Sequence, residues 1–275
     1  MKKRILIAFI AFSVLSVLLI ACHKSTDEPE EWIVPFPLNP VWNCPYSPFY
    51  GDTLICTPNG NAPDYIISPV NNPGAGTYFS WPIGMKIDHY TGAINVSQSE
   101  AGMRYLIGFV KQGTTDTCLT PLIISGMSYM DSVFVLSSGQ TTSVPYFNAD
   151  ATVVSACISG NCEFDMNGQA AKDKVFVNTT TGIIDLQKTL DQGAFGPTAV
   201  NGDMVETTIR YRINDGCTNK VQKLMVQLMY FDSKSQIDVG LINTILARQS
   251  NIRNGNIINT GGSPRPPLII ITRFN

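Results

Sequence analysis

Apolar residues follow three different patterns along this chain. Ile5 to Ile20 is a continuous apolar run without a charge. Between Cys22 and Trp32 no apolar periodicity exists. Further on, short apolar runs alternate with polar residues and are separated by Gly, Pro, Asn and Asp. Tyr105, Ile107 and Phe109 alternate, as do Ile209, Tyr211 and Ile213, and then Leu224, Val226 and Leu228. A period of two predicts strands with one buried face. Near the end, Ile237, Leu241, Ile245 and Leu246 fall at helical spacing and predict a short amphipathic helix. "LIIIT", Leu268 to Thr272, is an apolar run that cannot stay exposed safely. Either it completes a sheet of this chain or it adds to a partner's sheet.

One pattern occurs twice. "DHYTGAINV", Asp88 to Val96, aligns with "NTTTGIIDL", Asn178 to Leu186. Asp and Asn can bond the backbone two residues on and so start a turn. Gly92 and Gly182 supply the positive φ that closes it. Each copy therefore reads as a tight strand–turn–strand. Each is followed by an alternating strand, a short loop ending in cysteine (Cys118 or Cys217), and another strand. The second copy carries an insertion, "QGAFGPTAVNGD", before its penultimate strand. Two units of roughly a hundred residues, built from short antiparallel strands, suggest tandem β-sandwiches.

The N-terminus adds a compartment. Lys2, Lys3 and Arg4 precede the apolar run, and Leu19-Ile20-Ala21-Cys22 ends it. This order resembles the signal and lipobox of bacterial lipoproteins. The resemblance implies cleavage before Cys22 and acyl chains on that cysteine; several chains anchor firmly where one binds marginally. "CHKSTDEPEEWIVPFPLNP" then reads as an extended tether. Asp27, Glu28, Glu30 and Glu31 resemble the acidic signal that sends lipoproteins to the outer face of the envelope. A solvated spacer has the same composition.

Composition narrows the class. Removing Lys2, Lys3 and Arg4 from 19 basic residues, against 21 acidic ones, leaves a mature net charge of −5. No basic stripe exists, which argues against nucleic acid or anionic lipid as partner. The mature length suits two domains. Beyond Cys22, six cysteines remain: Cys44, Cys56, Cys118, Cys157, Cys162 and Cys217. An even number in an exported chain predicts disulfides. Zinc would need clustered ligands, and Cys157 with Cys162 is the only close pair.

"GMKIDHYTGAINVSQSEAGMRYLIGFVKQGTTDTC" resembles the bacterial Ig-like, cadherin-like repeat through Gly84, Ile87, Thr91, Gly92, Ile94, Gly102 and Tyr105. The likeness covers residues 41–130 well. It covers 131–232 more weakly, through Asn178, Thr181, Gly182 and Ile184. It implies a Cys56–Cys118 disulfide in the first unit. In the second unit Cys217 would pair with Cys157 or Cys162, leaving Cys44 without an obvious partner. A Cys157–Cys162 bridge would instead leave Cys217 unpaired.

Candidate chemistry is sparse. The two histidines are His23, in the tether, and His89, which reads as an exposed turn residue because the second copy has Thr179 there. No "GxSxG", "HExxH" or phosphate loop occurs. Calcium between cadherin-like repeats would draw on Asp131, Asn148, Asp150, Asn214 and Asp215, without the dense Asp/Asn strings of cadherin linkers. In "WNCPYSPFY", Trp42, Tyr46 and Tyr50 are candidates for stacking on sugar rings, or for an edge strand. Asp52-Thr53-Leu54 and Asp131-Ser132-Val133 resemble an O-glycosylation triplet of exported bacterial proteins.

The expected chain is all-β. It has a signal peptide (1–21), a lipidated tether (22–40), two Ig-like β-sandwich domains (41–130 and 131–232), and a C-terminal helix, loop and apolar strand (233–275). The expected role is a non-enzymatic outer membrane lipoprotein at the cell surface, serving adhesion, binding or spacing. It has no required cofactor, a membrane partner through its lipid, and an envelope protein or polysaccharide as further partner. The alternative is a pilus-like subunit assembling by C-terminal strand addition. A glycan-active enzyme is third.

Overall fold

The runs with period two are strands. Among the described residues the first half holds β1 (Pro40–Val41), β2 (Leu54–Ile55), β3 (Ile66–Ile67), β4 (Gly76–Trp81), β5 (Ile94–Asn95), β6 (Met103–Lys111) and β7 (Thr117–Ile124). The β6–β7 hairpin is antiparallel, β4 adds to its β6 side, and β1 and β2 both run parallel to β7. Tyr105, Ile107 and Phe109 are fully buried in the first core, with Tyr78, Ile94 and Leu122. This is a computed structural model that describes residues 40–57, 64–213, 216–256 and 266–275, all within one compact unit, Val34–Asn275. The expected signal peptide, Cys22, His23 and nearly all of the tether lie outside the described residues.

The second half contains β8 (Met127–Tyr129), β9 (Ser132–Val135), β10 (Thr142–Ser143), β11 (Pro145–Phe147), β12 (Phe176–Val177), β13 (Ile184–Asp185), β14 (Met204–Tyr211), β15 (Gln222–Ser233) and β16 (Leu268–Phe274). Its helices are α1 (Gln169–Lys172), α2 (Leu186–Asp191) and α3 (Val239–Arg253). Ile209, Tyr211, Ile213, Val226 and Leu228 fill a second core. Met127 and Tyr129 belong to that core, so it begins before the expected boundary at 131. The sequence inserted in this half packs through Phe195, whose ring lies 5.8 Å from that of Tyr230.

The repeated turn is the same object twice. The Asp88 side chain accepts the amides of Tyr90 and Thr91 at 2.9 and 2.7 Å, and the Asn178 side chain accepts those of Thr180 and Thr181 at 3.0 Å each. Gly92 N–H donates to Asp88 O, and Gly182 N–H to Asn178 O, each at 2.9 Å. The glycines have φ of +70° and +71°. A Cβ on either would sit within 3 Å of an aromatic ring, Tyr78 or Phe164, so glycine is needed for space as well as conformation. Those two aromatic residues also donate their own amides to His89 O and Thr179 O at 2.8 Å. Tyr50 and Tyr129 close the motif by donating their hydroxyls to the carbonyls of Gly92 and Gly182.

The halves differ at one sheet edge. In the first, Leu54 and Ile55, which follow Tyr50, pair directly with Ile123 and Ile124 of β7. In the second, Val133 and Phe134 stand at the same distance after Tyr129, yet they do not pair with β15. They pair with Ile270 and Ile271, because β16 runs parallel between β9 and β15. The terminal apolar run therefore completes a sheet of this chain and is not a separate tail. Ile269 and Ile271 enter the second core; Leu268 and Ile270 lie under α3 with Ile237 and Ile245. Leu246, expected on the same helical face, is exposed instead, while Ile252 is buried.

All six remaining cysteines are paired, in an order that corrects the expectation. Cys118 bonds Cys44, not Cys56, and Cys56 bonds Cys217 across the two halves; Cys157 bonds Cys162. The Cα separations are 5.4, 5.0 and 5.2 Å, within the ordinary range for disulfides. β1 sets Val41 beside Cys118, which brings Cys44 within reach of it.

Candidate functional site

The halves meet at a seam that several elements build together. Thr57 N–H donates to Thr218 Oγ1 at 3.1 Å, beside the Cys56–Cys217 bond, and Gln222 Nε2 donates to Ser125 O at 2.7 Å. Next to these contacts lies a cavity of about 380 Å³. Glu100, Ala101 and Met103 line it from the first half, and Thr208, Leu224 and Met225 from the β14–β15 hairpin. This size and mix of apolar walls with a few polar groups suit a small ligand.

The polar end of the cavity is organised by Asp131, which is 1% exposed. One carboxylate oxygen accepts Leu268 N–H at 3.0 Å; the other lies 3.4 Å from Arg248 Nη1. Gln249 Nε2 donates to the Asp131 carbonyl at 2.6 Å. The start of β9, the start of β16 and the last turns of α3 are thus fastened at one residue. Tyr146 lines the same end, where burial pushes its hydroxyl up to about 12. It stays neutral at ordinary pH and can donate or accept a hydrogen bond.

Asp131 was expected as a calcium ligand, but its carboxylate is already engaged by Arg248 and Leu268. Asn148 receives Gly126 N–H through its side-chain oxygen, and Asp150 is turned onto Thr152. Asn214 and Asp215 lie outside the described residues. Among the described residues no group of three His, Cys, Asp or Glu could hold a metal ion.

The aromatic candidates separate. Trp42 and Tyr46 are exposed, at 54% and 38%. Lys111 Nζ lies 3.7 Å from the centre of the Tyr46 ring. Tyr50 is buried in the first core with its hydroxyl on Gly92, so it cannot contact a glycan. His89 is half-buried rather than exposed, and its Nδ1 donates to Tyr78 O at 2.6 Å. Thr53 is exposed beside Asp52, whereas Ser132 is half-buried and accepts from Gln249. Of the two glycosylation-like triplets, the first is the more exposed.

Arg248, Tyr146, Met225 and Ala101 carried no signal in the sequence. They come from separate elements, and only the packing of α3 and of the two hairpins brings them to one cavity. Among the described residues no helix is long and apolar enough to cross a membrane. No protein-family model matches the chain, and no curated protein matches it either.

Proposed function

We propose that this chain is a non-enzymatic surface lipoprotein of the outer envelope, a binding or spacing module of two Ig-like sandwiches on a lipid tether. The observation that carries the reading is the pairing of all six cysteines beyond Cys22, which suits folding in an oxidising, extracytoplasmic compartment. The matching turns at Gly92 and Gly182 favour a duplicated sandwich. The Cys56–Cys217 bond favours a stiff two-unit body over a jointed one. The seam cavity gives such a body a place for a small ligand with an apolar body and a hydrogen-bonding end.

The test has two readouts. In a Gram-negative host, labelled palmitate should enter the wild-type chain but not Cys22→Ser, and protease added to intact cells should reach it. An unlabelled, soluble wild-type chain sinks the lipoprotein reading. For the cavity, the apolar dye N-phenylnaphthylamine should fluoresce with the wild type and not with Thr208→Trp, which fills the space from β14. Equal fluorescence with both chains removes the cavity from the binding role.

A further inference from the structure

One end of the first half collects exposed apolar side chains around the point where the described chain begins. Trp42, Tyr46 and Phe49 are 54%, 38% and 49% exposed, and Val70 is 66% exposed. Backbone bonds bring them together. Val70 N–H donates to Phe49 O at 2.7 Å, and Asn71 joins the same segment by accepting Phe49 N–H and donating to Ser47 O. Gly76 pairs with Lys111, whose ammonium covers the Tyr46 ring, so the β6–β7 turn borders the same end. Cys44–Cys118 ties the aromatic segment to β7. These side chains are held out by a cross-linked frame, where single scattered apolar residues would need no explanation.

We infer that this end is a membrane-facing surface whose aromatic rings rest in the headgroup zone of the bilayer that holds the lipid. The inference rests on the lipidated-tether reading. Pro40, where the described chain starts, stands next to Val41 and Trp42, so the tether joins the body at this end. About eighteen residues separate Cys22 from Pro40. Eighteen residues reach at most about 60–65 Å even when fully extended. The end bearing Trp42 is therefore the one kept at the bilayer, while the opposite end reaches outward. Trp and Tyr suit that depth because each ring has an apolar body and a polar edge. Lys111 can lay its stem along the rings and keep its charge in water. The mature balance of −5 means that the contact relies on ring insertion and needs no anionic lipid. A sugar displayed by another cell would have to enter the gap between this end and the bilayer.

The experiment uses the lipidated chain carrying Trp32→Phe, reconstituted in phosphatidylcholine vesicles. Trp42 is then the only exposed tryptophan among the described residues, because Trp81 is buried. Vesicle sedimentation reads the anchor; quenching by lipids with a nitroxide near the headgroup or deep in the tail reads the inference. The expected result is sedimentation with loss of Trp42 emission, stronger for the shallow nitroxide. Adding Trp42→Phe should abolish the loss, and Phe49→Glu should reduce it without releasing the protein. Sedimentation without quenching overturns the inference and leaves the anchor intact. No sedimentation removes the anchor, and the inference with it. Trp42 emission that answers soluble polysaccharide but not the nitroxides assigns the surface to sugar and likewise overturns it.

Discussion

The Tyr50 hydroxyl donates to the carbonyl of Gly92 at 2.8 Å, across 42 positions of sequence. Tyr129 makes the same bond to Gly182 in the second half. In each half one buried tyrosine fixes the turn to the segment that enters the core. Burial pushes both hydroxyls well above the usual tyrosine range, so both remain donors at any ordinary pH. Tyr50→Phe and Tyr129→Phe each strand a buried carbonyl, at a cost of about 1–3 kcal/mol. Denaturant titration should show the loss in each variant, with the ring packing and the native circular dichroism unchanged.

Gly92→Ala and Gly182→Ala test the other side of the motif. Each adds left-handed strain of about 1–2 kcal/mol and presses a methyl into the Tyr78 or Phe164 ring. Overpacking adds roughly 1–3 kcal/mol. Both variants should melt well below the wild type, whereas alanine at Gly113, in an open turn with nothing near its Cβ, should suffer only the conformational strain. Equal melting shifts at Gly92 and Gly113 would show that the ring contact does not matter.

Acid should distinguish the two copies. Hydrogen bonds from the Thr91 backbone and side chain and the Tyr90 backbone hold the Asp88 carboxyl below the usual carboxylate range. A depressed folded pKa contributes stability above the unfolded pKa, and this is lost as pH falls through the folded value. The second copy has Asn178 in that role and no such dependence. Asp88→Asn should keep the turn, as Asn178 does, and flatten the fall of stability below about pH 4. An unchanged acid limb in stability measured from pH 2 to 7 would contradict the assignment.

The Cys56–Cys217 bond spans 161 positions, so it removes much freedom from the unfolded chain. The chain-entropy treatment gives about 5 kcal/mol for such a loop. Cys56→Ser should lower stability by up to that amount and loosen the seam. Hydrogen exchange should rise first at the Thr57 amide, which donates to Thr218 Oγ1 across the seam, while the amides of Tyr105 and Val226 in the two cores stay protected.

The strands and the repeat were legible in the sequence because both rest on local rules. Alternation exposes itself in Tyr105, Ile107 and Phe109, and the turn demands Asp or Asn, Thr and Gly at fixed positions. The disulfide order was not legible, since only the β1–β7 pairing brings Cys44 to Cys118 and only the docking of the halves brings Cys56 to Cys217. Tyr50 read as a sugar-stacking or edge-strand aromatic, and its place in the core was hidden because its partner is a backbone carbonyl far along the chain. The seam cavity was invisible for the same reason, with Ala101, Met225 and Arg248 arriving from different elements. "LIIIT" announced burial but not position, because four consecutive apolar residues contain no register.

The position of β16 yields the sharpest prediction. Removing Pro266–Asn275 takes away Leu268, Ile269, Ile270 and Ile271, all buried, and leaves β9 and β15 without their shared neighbour. Burial of four such side chains is worth roughly 6–12 kcal/mol. That is comparable with the whole stability of an ordinary domain. Direct pairing of β9 with β15 cannot replace it. Such pairing exists in the first half between β2 and β7, but in the second half α3 is built over Leu268 and Ile270 and would lose its floor. The truncated chain should therefore lose protection throughout the second core, at Ile209, Val226 and Leu228, while the first core around Tyr105 and Ile107 keeps its own, held by Cys44–Cys118. Hydrogen exchange read by mass spectrometry resolves the two halves. If the truncated chain instead keeps both cores and stays monomeric while the full chain forms polymers that the truncation abolishes, β16 works between copies, and the subunit reading replaces the surface module.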